Sequence, residues 1–217
     1  METPRCRIVV LISGNGSNLQ ALIDSSRASN FKIVTVISNK PEAYGLQRAK
    51  HEDIPTQIID HTTFESRTKF DKALADTVED INPELIVLAG FMRILGNSFV
   101  MRFKGRILNI HPSLLPKFPG TNTHKRAIDS GDKEHGVSVH FVTSELDGGP
   151  LIAQEKVPVL KDDTPQALAA RVLEKEHIIY PKVVSWFASG RLKMKNNDAM
   201  LDDEKLLLSN VLIQSQK

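Results

Sequence analysis

Two polar residues at alternate positions, Asn109 and His111, interrupt an apolar run in residues 106–120, which read RILNIHPSLLPKFPG. Successive side chains of a β-strand point to opposite faces, so these two would project from the same face. Pro112 is expected to end the strand, because it has no N–H group to donate and keeps the residue before it extended. The pattern therefore predicts an amide and an imidazole side by side at the end of a strand.

Such a pair suits chemistry at a carbonyl group. An amide can hold a carbonyl oxygen, and an imidazole can move a proton or stabilise a developing oxyanion. A histidine in that role usually needs an acid to orient it, and Asp147 in the turn-forming sequence SELDGGP is the best candidate elsewhere in the chain. From spacing alone, a strand-end cap with an unrelated loop aspartate is an equally compatible alternative.

A second candidate site follows the first apolar segment of the chain. RIVVLIS predicts a buried strand, GNGSN a loop and the following LQALIDSS a helix. N–H groups converge at such a helix N-terminus, so Gly16, Ser17 and Asn18 predict a phosphate site. Leu19 stands where a dinucleotide motif has its third glycine, and the loop lacks the lysine of a P-loop. A structural turn that uses its glycines for positive φ is the alternative.

The strands and helices that must position these residues alternate along the chain. Strands are predicted over residues 7–13, 31–38, 57–60, 84–90, 136–143 and 151–160, and helices over 41–50, 64–81, 121–131 and from 163 to Gly190, with a kink or restart at Pro181. This alternation predicts an α/β fold with a mostly parallel sheet. Ligands of such sheets bind at the carboxyl ends of the strands, where the GNGSN loop and the Asn–His pair are expected. Residues after 190 predict an edge hairpin around 196–198 and then a mobile polar end.

The composition excludes several classes of function. With 28 basic and 26 acidic residues the net charge is +2, without the basic excess typical of a tRNA- or DNA-binding domain. Cys6 is the only cysteine, so no internal disulfide can form, and a reducing compartment is expected. Apolar segments are too short for a signal peptide or a membrane span. The chain is therefore expected to be a single cytoplasmic domain without nucleic-acid or membrane partners.

NIHPSLLPKFPG and ELDGGP together resemble the folate-dependent formyltransferases. Further segments resemble the branch of that family that formylates glycinamide ribonucleotide, and they cover nearly the whole chain: VVLISGNGSNLQALID, LIVLAGFMRIL, HGVSVHFVTSELDGGP and EHIIYP. The resemblance implies a Rossmann-like three-layer formyltransferase fold. It also implies formyl transfer from 10-formyltetrahydrofolate, as co-substrate, to the ribonucleotide amine in purine biosynthesis, and no metal is expected.

The resemblance assigns the chemistry to Asn109, His111 and Asp147. Asn109 and His111 would stabilise the oxyanion, and Asp147 would favour protonated His111 and position a water that carries the amine proton. The expected ribonucleotide contacts are Gly16, Ser17, Asn18, Leu173, Glu174, Lys175 and Glu176. The expected folate contacts are Arg67, Met92, Arg93, Ile94, Leu95, Asn109, Thr143, Ser144, Glu145, Leu146 and Asp147.

The residues alone leave simpler alternatives open for several of these positions. Residues 92–95 are also compatible with plain core, Arg67 with a solvated surface charge and Glu176 with the rim of a buried helix face. His124 and His140 are more often structural than catalytic and stay outside the catalytic set. The expected layout is a phosphate-binding half over about 1–100, a folate-binding and catalytic half over about 101–190 and a tail over 191–217, in a monomer or homodimer.

Two other formyl-group enzymes carry related motifs. A methionyl-tRNA formyltransferase has an additional nucleic-acid-binding domain, for which this chain has neither the length nor the charge. A formyltetrahydrofolate deformylase, with water as acceptor, has an N-terminal regulatory module, whereas the first strand here is predicted from Arg7. A non-enzymatic phosphate- or folate-binding module would require the Asn109, His111 and Asp147 set to be incidental.

Overall fold

Strands and helices alternate through the first part of the chain in the computed structural model, which describes residues 4–207. The chain divides into two units, Met1–Asn109 and Ile110–Lys217. The elements of the first unit are β1 (Cys6–Ile12), α1 (Ser17–Ser26), β2 (Phe31–Ser38), α2 (Gly45–His51), β3 (Thr56–Ile58), α3 (Arg67–Ile81), β4 (Leu85–Leu88), α4 (Asn97–Arg102) and most of β5 (Ile107–His111). A short 3-10 helix, His61–Thr63, precedes α3.

Parallel pairing joins the strands of the first unit in the order β3-β2-β1-β4-β5. The central strand β1 is inaccessible to solvent from Ile8 to Ile12, as expected for a strand covered on both faces. On α3 the apolar stripe Phe70, Leu74 and Val78 is buried. The parallel sheet and the amphipathic helix that the hydrophobic patterns predict are both confirmed.

The second unit contains an antiparallel pair of strands. Its elements are the end of β5, α5 (Thr123–Asp129), β6 (Glu134–Phe141), β7 (Leu151–Pro158), α6 (Pro165–Ala188), β8 (Leu192–Lys195), β9 (Asp198–Leu201) and β10 (Glu204–Lys205). In the seven-stranded sheet β6 follows β5 and pairs antiparallel with β7, so the sheet is mixed and mostly parallel. The last three strands form a separate sheet of order β10-β9-β8.

Helix α6 begins where the sequence predicts. The hydroxyl oxygen of Thr164 accepts a hydrogen bond from the Ala167 N–H at 3.1 Å, and Pro165 occupies the first turn. Leu168, Val172 and Glu176 are spaced four residues apart and are all buried, so they share one inward stripe of the helix.

Of the kink or restart predicted at Pro181, the restart is wrong, since the helix continues to Ala188. Pro181 is itself buried, together with Val183 and Val184, so packing of this face offsets the hydrogen bond that proline cannot make. Gly190 ends the helix as predicted: its φ is +73°, and its N–H donates to the Phe187 carbonyl at 2.9 Å.

The remaining differences concern short elements. The helix predicted over 41–50 begins only at Gly45, and α4 was not predicted. The predicted hairpin is confirmed, with Asn196 and Asn197 at φ 51° and 65° between β8 and β9, values typical of a type I′ turn. The polar end predicted to be mobile lies outside the described residues. Over residues 4–207 the structure has no helix of the length and hydropathy that a membrane crossing requires.

The Thr164 cap predicts a measurable contribution to stability. Replacing Thr164 by Ala removes the acceptor for the Ala167 N–H, so the free energy of unfolding should fall by about 1 kcal/mol. Urea titration followed by circular dichroism measures it. Thr164→Ser keeps the hydroxyl and should stay close to wild type, and equal losses in the two variants would contradict the capping role.

Candidate active site

The imidazole of His111 and the carboxylate of Asp147 face each other inside the second unit. His111 Nδ1 lies 3.5 Å from Asp147 Oδ2, and the two side chains are only 7% and 8% exposed. The same carboxylate oxygen accepts a hydrogen bond from the Gly120 N–H at 2.8 Å. Asp147 has φ 51°, a left-handed backbone conformation within the turn after β6. The structure thus places the predicted acid next to the predicted histidine.

The second ring nitrogen of His111 is also engaged. Its Nε2 lies 2.9 Å from the carbonyl oxygen of Phe118, a residue with φ 55° in the loop after β5. Since a carbonyl oxygen only accepts, the proton on Nε2 is donated to Phe118 in this arrangement. The same N–H is the group that could donate a hydrogen bond to a developing oxyanion.

Asn109 precedes this histidine on β5 and is half-buried. It pairs in register with Leu88 of β4, so its backbone belongs to the parallel sheet. The residue between them, Ile110, is buried on the opposite side of the strand, as the predicted alternation requires.

A second histidine contacts the catalytic candidate Asp147. His140 Nε2 lies 3.8 Å from Asp147 Oδ1, and Nδ1 lies 2.8 Å from the Phe141 carbonyl. Burial lowers the pKa of His140, although the carbonyl and the carboxylate act in the opposite sense. Both faces of β6 are covered, so the alternation of polar and apolar residues along this strand could not reveal the burial of His140.

His124 and His135 form a further pair beneath the loop that holds His111. Their Nδ1 and Nε2 atoms are 3.2 Å apart, and the ring planes are nearly perpendicular at 85°. Burial is the main cause that lowers both pKa values, and that of His135 falls to about 4. The Phe118 ring packs against His135 with 6.1 Å between centroids, so this neutral pair supports the residue whose carbonyl contacts His111.

The predicted strand, loop and helix around GNGSN are confirmed in the first unit. Gly16 precedes α1 with φ 75°, and its carbonyl accepts from the Gln20 N–H at 2.9 Å. The N–H groups of Ser17 and Asn18 belong to the first turn, where the helix itself offers them no acceptor. This end of α1 therefore presents donors to an anion.

The segment after β4 presents apolar side chains to solvent. Met92 is 70% exposed and Ile94 58%, whereas Leu95 is buried, so the core alternative holds for Leu95 and is wrong for the other two. The Ser13 hydroxyl accepts a hydrogen bond from the Met92 N–H at 2.7 Å and donates to Asn39 Oδ1 at 2.5 Å. Through Ser13 this segment is tied to the strand end that leads into GNGSN.

Arg67 and the same segment meet at a buried carboxylate, Asp71. Arg67 Nε lies 3.6 Å from Asp71 Oδ2, which also accepts from the Gly96 N–H at 2.9 Å. Burial raises the pKa of Asp71, opposed by this N–H, by Arg67 and by Arg93. Sequence reasoning missed Asp71, although its position four residues after Arg67 on a helix is the spacing of a side-chain pair.

The other expected contact residues lie on a turn and on α6 of the second unit. Ser144, Glu145 and Leu146 are exposed and Thr143 is half-buried. Gly149 is required by the protein itself, since a Cβ there would lie 1.8 Å from the Phe141 carbonyl oxygen. Close packing within the chain is therefore enough to explain a glycine at this position.

On α6 the four expected residues differ in exposure. Glu174 is exposed, Leu173 and Lys175 are half-buried, and Glu176 is buried. The Lys175 ammonium lies 3.8 Å from Glu155 Oε2. Glu176 thus presents a carboxylate from the inward stripe of the helix.

The position of Cys6 does not favour a role as a nucleophile. It is the buried first residue of β1, and burial together with the nearby Glu84 carboxylate raises the pKa of its thiol to about 12. Since the thiolate is the reactive form, the thiol is inert near neutral pH. Among the described residues, 4–207, no three His, Cys, Asp or Glu side chains are grouped as metal ligands.

Comparison with known proteins gives one consistent result. Residues 6–184 match the family model described as Formyl transferase. The chain is 54% identical over 201 residues to the phosphoribosylglycinamide formyltransferase of Escherichia coli (strain K12), covering 92% of this chain and 95% of that protein. A solved phosphoribosylglycinamide formyltransferase from Coxiella burnetii, also 54% identical, superimposes with a TM-score of 0.92 over 97% of this chain and all of that one.

A longer relative also contains the matched region. The chain is 46% identical over 198 residues to the trifunctional purine biosynthetic protein adenosine-3 of Homo sapiens. The match covers 90% of this chain but 20% of that protein.

Burial of His135 predicts an acid-sensitive contribution to stability. Its pKa is about 4 in the folded protein against an ordinary 6.5, so between these values only the unfolded chain binds the proton. Above pH 6.5 the neutral His135 does not lower the free energy of unfolding. As the pH falls from 6.5 towards 4, protonation of the unfolded chain lowers the free energy of unfolding by up to about 3 kcal/mol. The free energy of unfolding of His135→Gln should therefore fall less steeply over this range. Urea titrations at several pH values test it, with exposed His51→Gln as control, and parallel curves for wild type and His135→Gln would contradict it.

Proposed function

This chain belongs to the formyl transferase family, and we propose that it transfers the formyl group of 10-formyltetrahydrofolate to the amine of glycinamide ribonucleotide. The products are formylglycinamide ribonucleotide and tetrahydrofolate, and the step belongs to purine biosynthesis. The observation that carries this proposal is the shielded His111–Asp147 pair at the end of β5. The high identity to the phosphoribosylglycinamide formyltransferase of Escherichia coli supports the choice of acceptor.

Asn109 and His111 stabilise the oxygen that becomes negative when the amine adds to the formyl carbon. Asn109 donates from its side-chain amide, and His111 donates from Nε2 in place of its present bond to the Phe118 carbonyl. A shielded setting strengthens such donors, and Nε2 of His111 becomes available to the oxyanion once its bond to the Phe118 carbonyl opens.

Asp147 holds His111 through Nδ1 and balances its positive charge. The Gly120 N–H keeps the carboxylate in place, while its other oxygen faces His140. Asp147 also positions a water that takes the proton from the attacking amine and passes it to the folate nitrogen, whose bond to the formyl carbon breaks as tetrahydrofolate leaves. Because burial keeps His140 neutral, it adds a polar neighbour without competing with His111 for the negative charge.

The phosphate of the ribonucleotide binds at Gly16, Ser17 and Asn18. These residues offer backbone N–H groups, and the dipole of α1 favours negative charge at this end. Residues 173–176 of α6 also contact the ribonucleotide. Among them, Glu176 places its carboxylate near the ribonucleotide amine.

The folate ring lies against the exposed apolar side chains Met92 and Ile94. Arg67 and Arg93 supply positive charge near this segment, and carboxylates are the negative groups that a folate carries. Residues 143–147 form the second group of folate contacts, in which Leu146 is 53% exposed and adds apolar surface.

Several predictions about the protein as a whole remain predictions. They are the phosphate-binding and folate-binding halves of a single domain, the monomer or homodimer, the cytoplasmic location and the absence of nucleic-acid and membrane partners. None of them enters the catalytic proposal.

The acceptor is tested by measuring formyl loss from 10-formyltetrahydrofolate in the presence of glycinamide ribonucleotide, initiator tRNA or water alone. Loss that depends on the ribonucleotide supports the proposal. Loss without any added acceptor would instead identify a deformylase, and loss that depends on tRNA would identify the other transferase. Absence of loss with all three would overturn the proposed activity.

Removal of either oxyanion donor should reduce turnover without unfolding the protein. For Asn109→Ala and His111→Ala we expect kcat to fall by roughly two to three orders of magnitude each, the usual effect of losing one such donor. Steady-state kinetics measures the loss, and thermal unfolding checks the fold. The matched control is His51→Ala, at an exposed histidine of α2. Near-normal kcat in both variants would contradict the assigned roles.

A further inference from the structure

Arg48 of α2 is hydrogen bonded to the loop in which the phosphate site is proposed. Its Nε donates to the Asn15 backbone carbonyl at 2.9 Å, and its Nη2 donates to Asn15 Oδ1 at 2.9 Å. Its Nη1 donates to Gln20 Oε1 on α1 at 3.3 Å. The guanidinium carbon lies 5.0 Å from the centroid of the Tyr44 ring, which supports the half-buried side chain from the other side. Arg48 is therefore hydrogen bonded on both sides of Gly16 in the sequence, to Asn15 in the loop and to Gln20 on α1.

These bonds determine where the peptide N–H groups of the loop point. In a trans peptide the carbonyl and the N–H lie on opposite sides, so a fixed carbonyl fixes the next residue's N–H. The Asn15 carbonyl points to Arg48, and the N–H of Gly16 consequently points away from it. The Gly14 carbonyl accepts from the Gly45 N–H of α2 at 3.0 Å, so the N–H of Asn15 also points away from α2.

The loop rests directly on α2 at this point. A Cβ on Gly16 would lie 2.7 Å from the Gly45 Cα, and Gly16 has φ 75°. A left-handed residue followed by helical ones is the backbone form in which successive N–H groups make an anion-binding concavity. The N–H groups of Ser17 and Asn18 continue that series along the chain.

We propose that Arg48 is a positioning residue for phosphate recognition: it holds the peptide between Asn15 and Gly16 so that the Gly16 N–H faces the phosphate of the ribonucleotide. The inference rests on the proposed function, in which the phosphate binds at Gly16, Ser17 and Asn18. In this proposal Arg48 acts through the backbone, because its Nε, Nη1 and Nη2 each donate to a protein acceptor and hold the guanidinium against the loop and α1.

The geometry requires the fork of a guanidinium. Three nitrogens reach three acceptors on two residues, and a lysine would present one ammonium to replace them. Lysine keeps the positive charge, so it separates the geometric role of Arg48 from simple attraction of an anion.

The test compares Arg48→Lys and Arg48→Met with wild type in steady-state formyl transfer. Both variants should raise the KM for glycinamide ribonucleotide by about tenfold or more, as expected from losing charge-assisted hydrogen bonds that order the loop. We expect kcat and the KM for 10-formyltetrahydrofolate to stay near the wild-type values. Lys50→Met is the control, because it removes a positive charge from an exposed position on the same helix. A near-wild-type KM in Arg48→Lys would overturn the proposal in favour of charge alone.

A second substrate distinguishes phosphate recognition from general damage. Glycinamide riboside has the same amine and sugar without the phosphate, so Arg48→Met should leave its kcat/KM unchanged while lowering that of the ribonucleotide. Equal losses with both substrates would overturn the inference. Wild-type kinetics without any ribonucleotide-dependent formyl loss would overturn the proposed function and this inference together, whereas an active wild type with an unaffected Arg48→Met would overturn the inference alone.

Discussion

The candidate chemistry depends on one shielded electrostatic contact, that between His111 and Asp147. Withdrawing a carboxylate from water is costly unless donors surround it, and here the Gly120 N–H and the imidazole provide them. The backbone of this unit accommodates the contact: Asp147 takes a left-handed conformation, and the loop after β5 brings the Phe118 carbonyl to the other ring nitrogen. The His124–His135 pair, of which His135 is buried and His124 half-buried, supports that loop without adding charge at neutral pH.

Local sequence patterns predicted much of the fold, because the spacing of apolar residues indicates which face of a strand or helix is buried. Strand β2 has the predicted bounds, and α3 buries the predicted stripe, since both signals are contained within a few residues. The same patterns could not determine whether a polar face of a strand is covered, and His140 is buried for that reason. The sequence patterns also could not show that burial of one face allows α6 to continue past Pro181.

In the candidate active site, too, local patterns predicted some residues and not others. Alternation placed Asn109 and His111 on one face of a strand, but Asp147 is far away in sequence, and spacing alone left its role open. The motif resemblance selected it, and the 3.5 Å contact is the physical link between them. Arg48 and Asp71 were not predicted, because both side chains bind backbone groups. Arg48 donates to the Asn15 carbonyl and Asp71 accepts from the Gly96 N–H, and no residue pattern indicates such contacts.

The hydroxyl of Ser13 has a consequence for attempts to redesign this protein. It accepts a hydrogen bond from the Met92 N–H and donates one to Asn39, so it joins the segment proposed for the folate to the strand end that leads into the phosphate loop. A backbone shift made to admit a bulkier pteridine analogue at Met92 would pull on that hydroxyl and hence on the start of the loop. The binding of a new folate analogue and the binding of the nucleotide therefore both depend on the Ser13 hydroxyl. Variants selected for one property would have to be selected for the other as well.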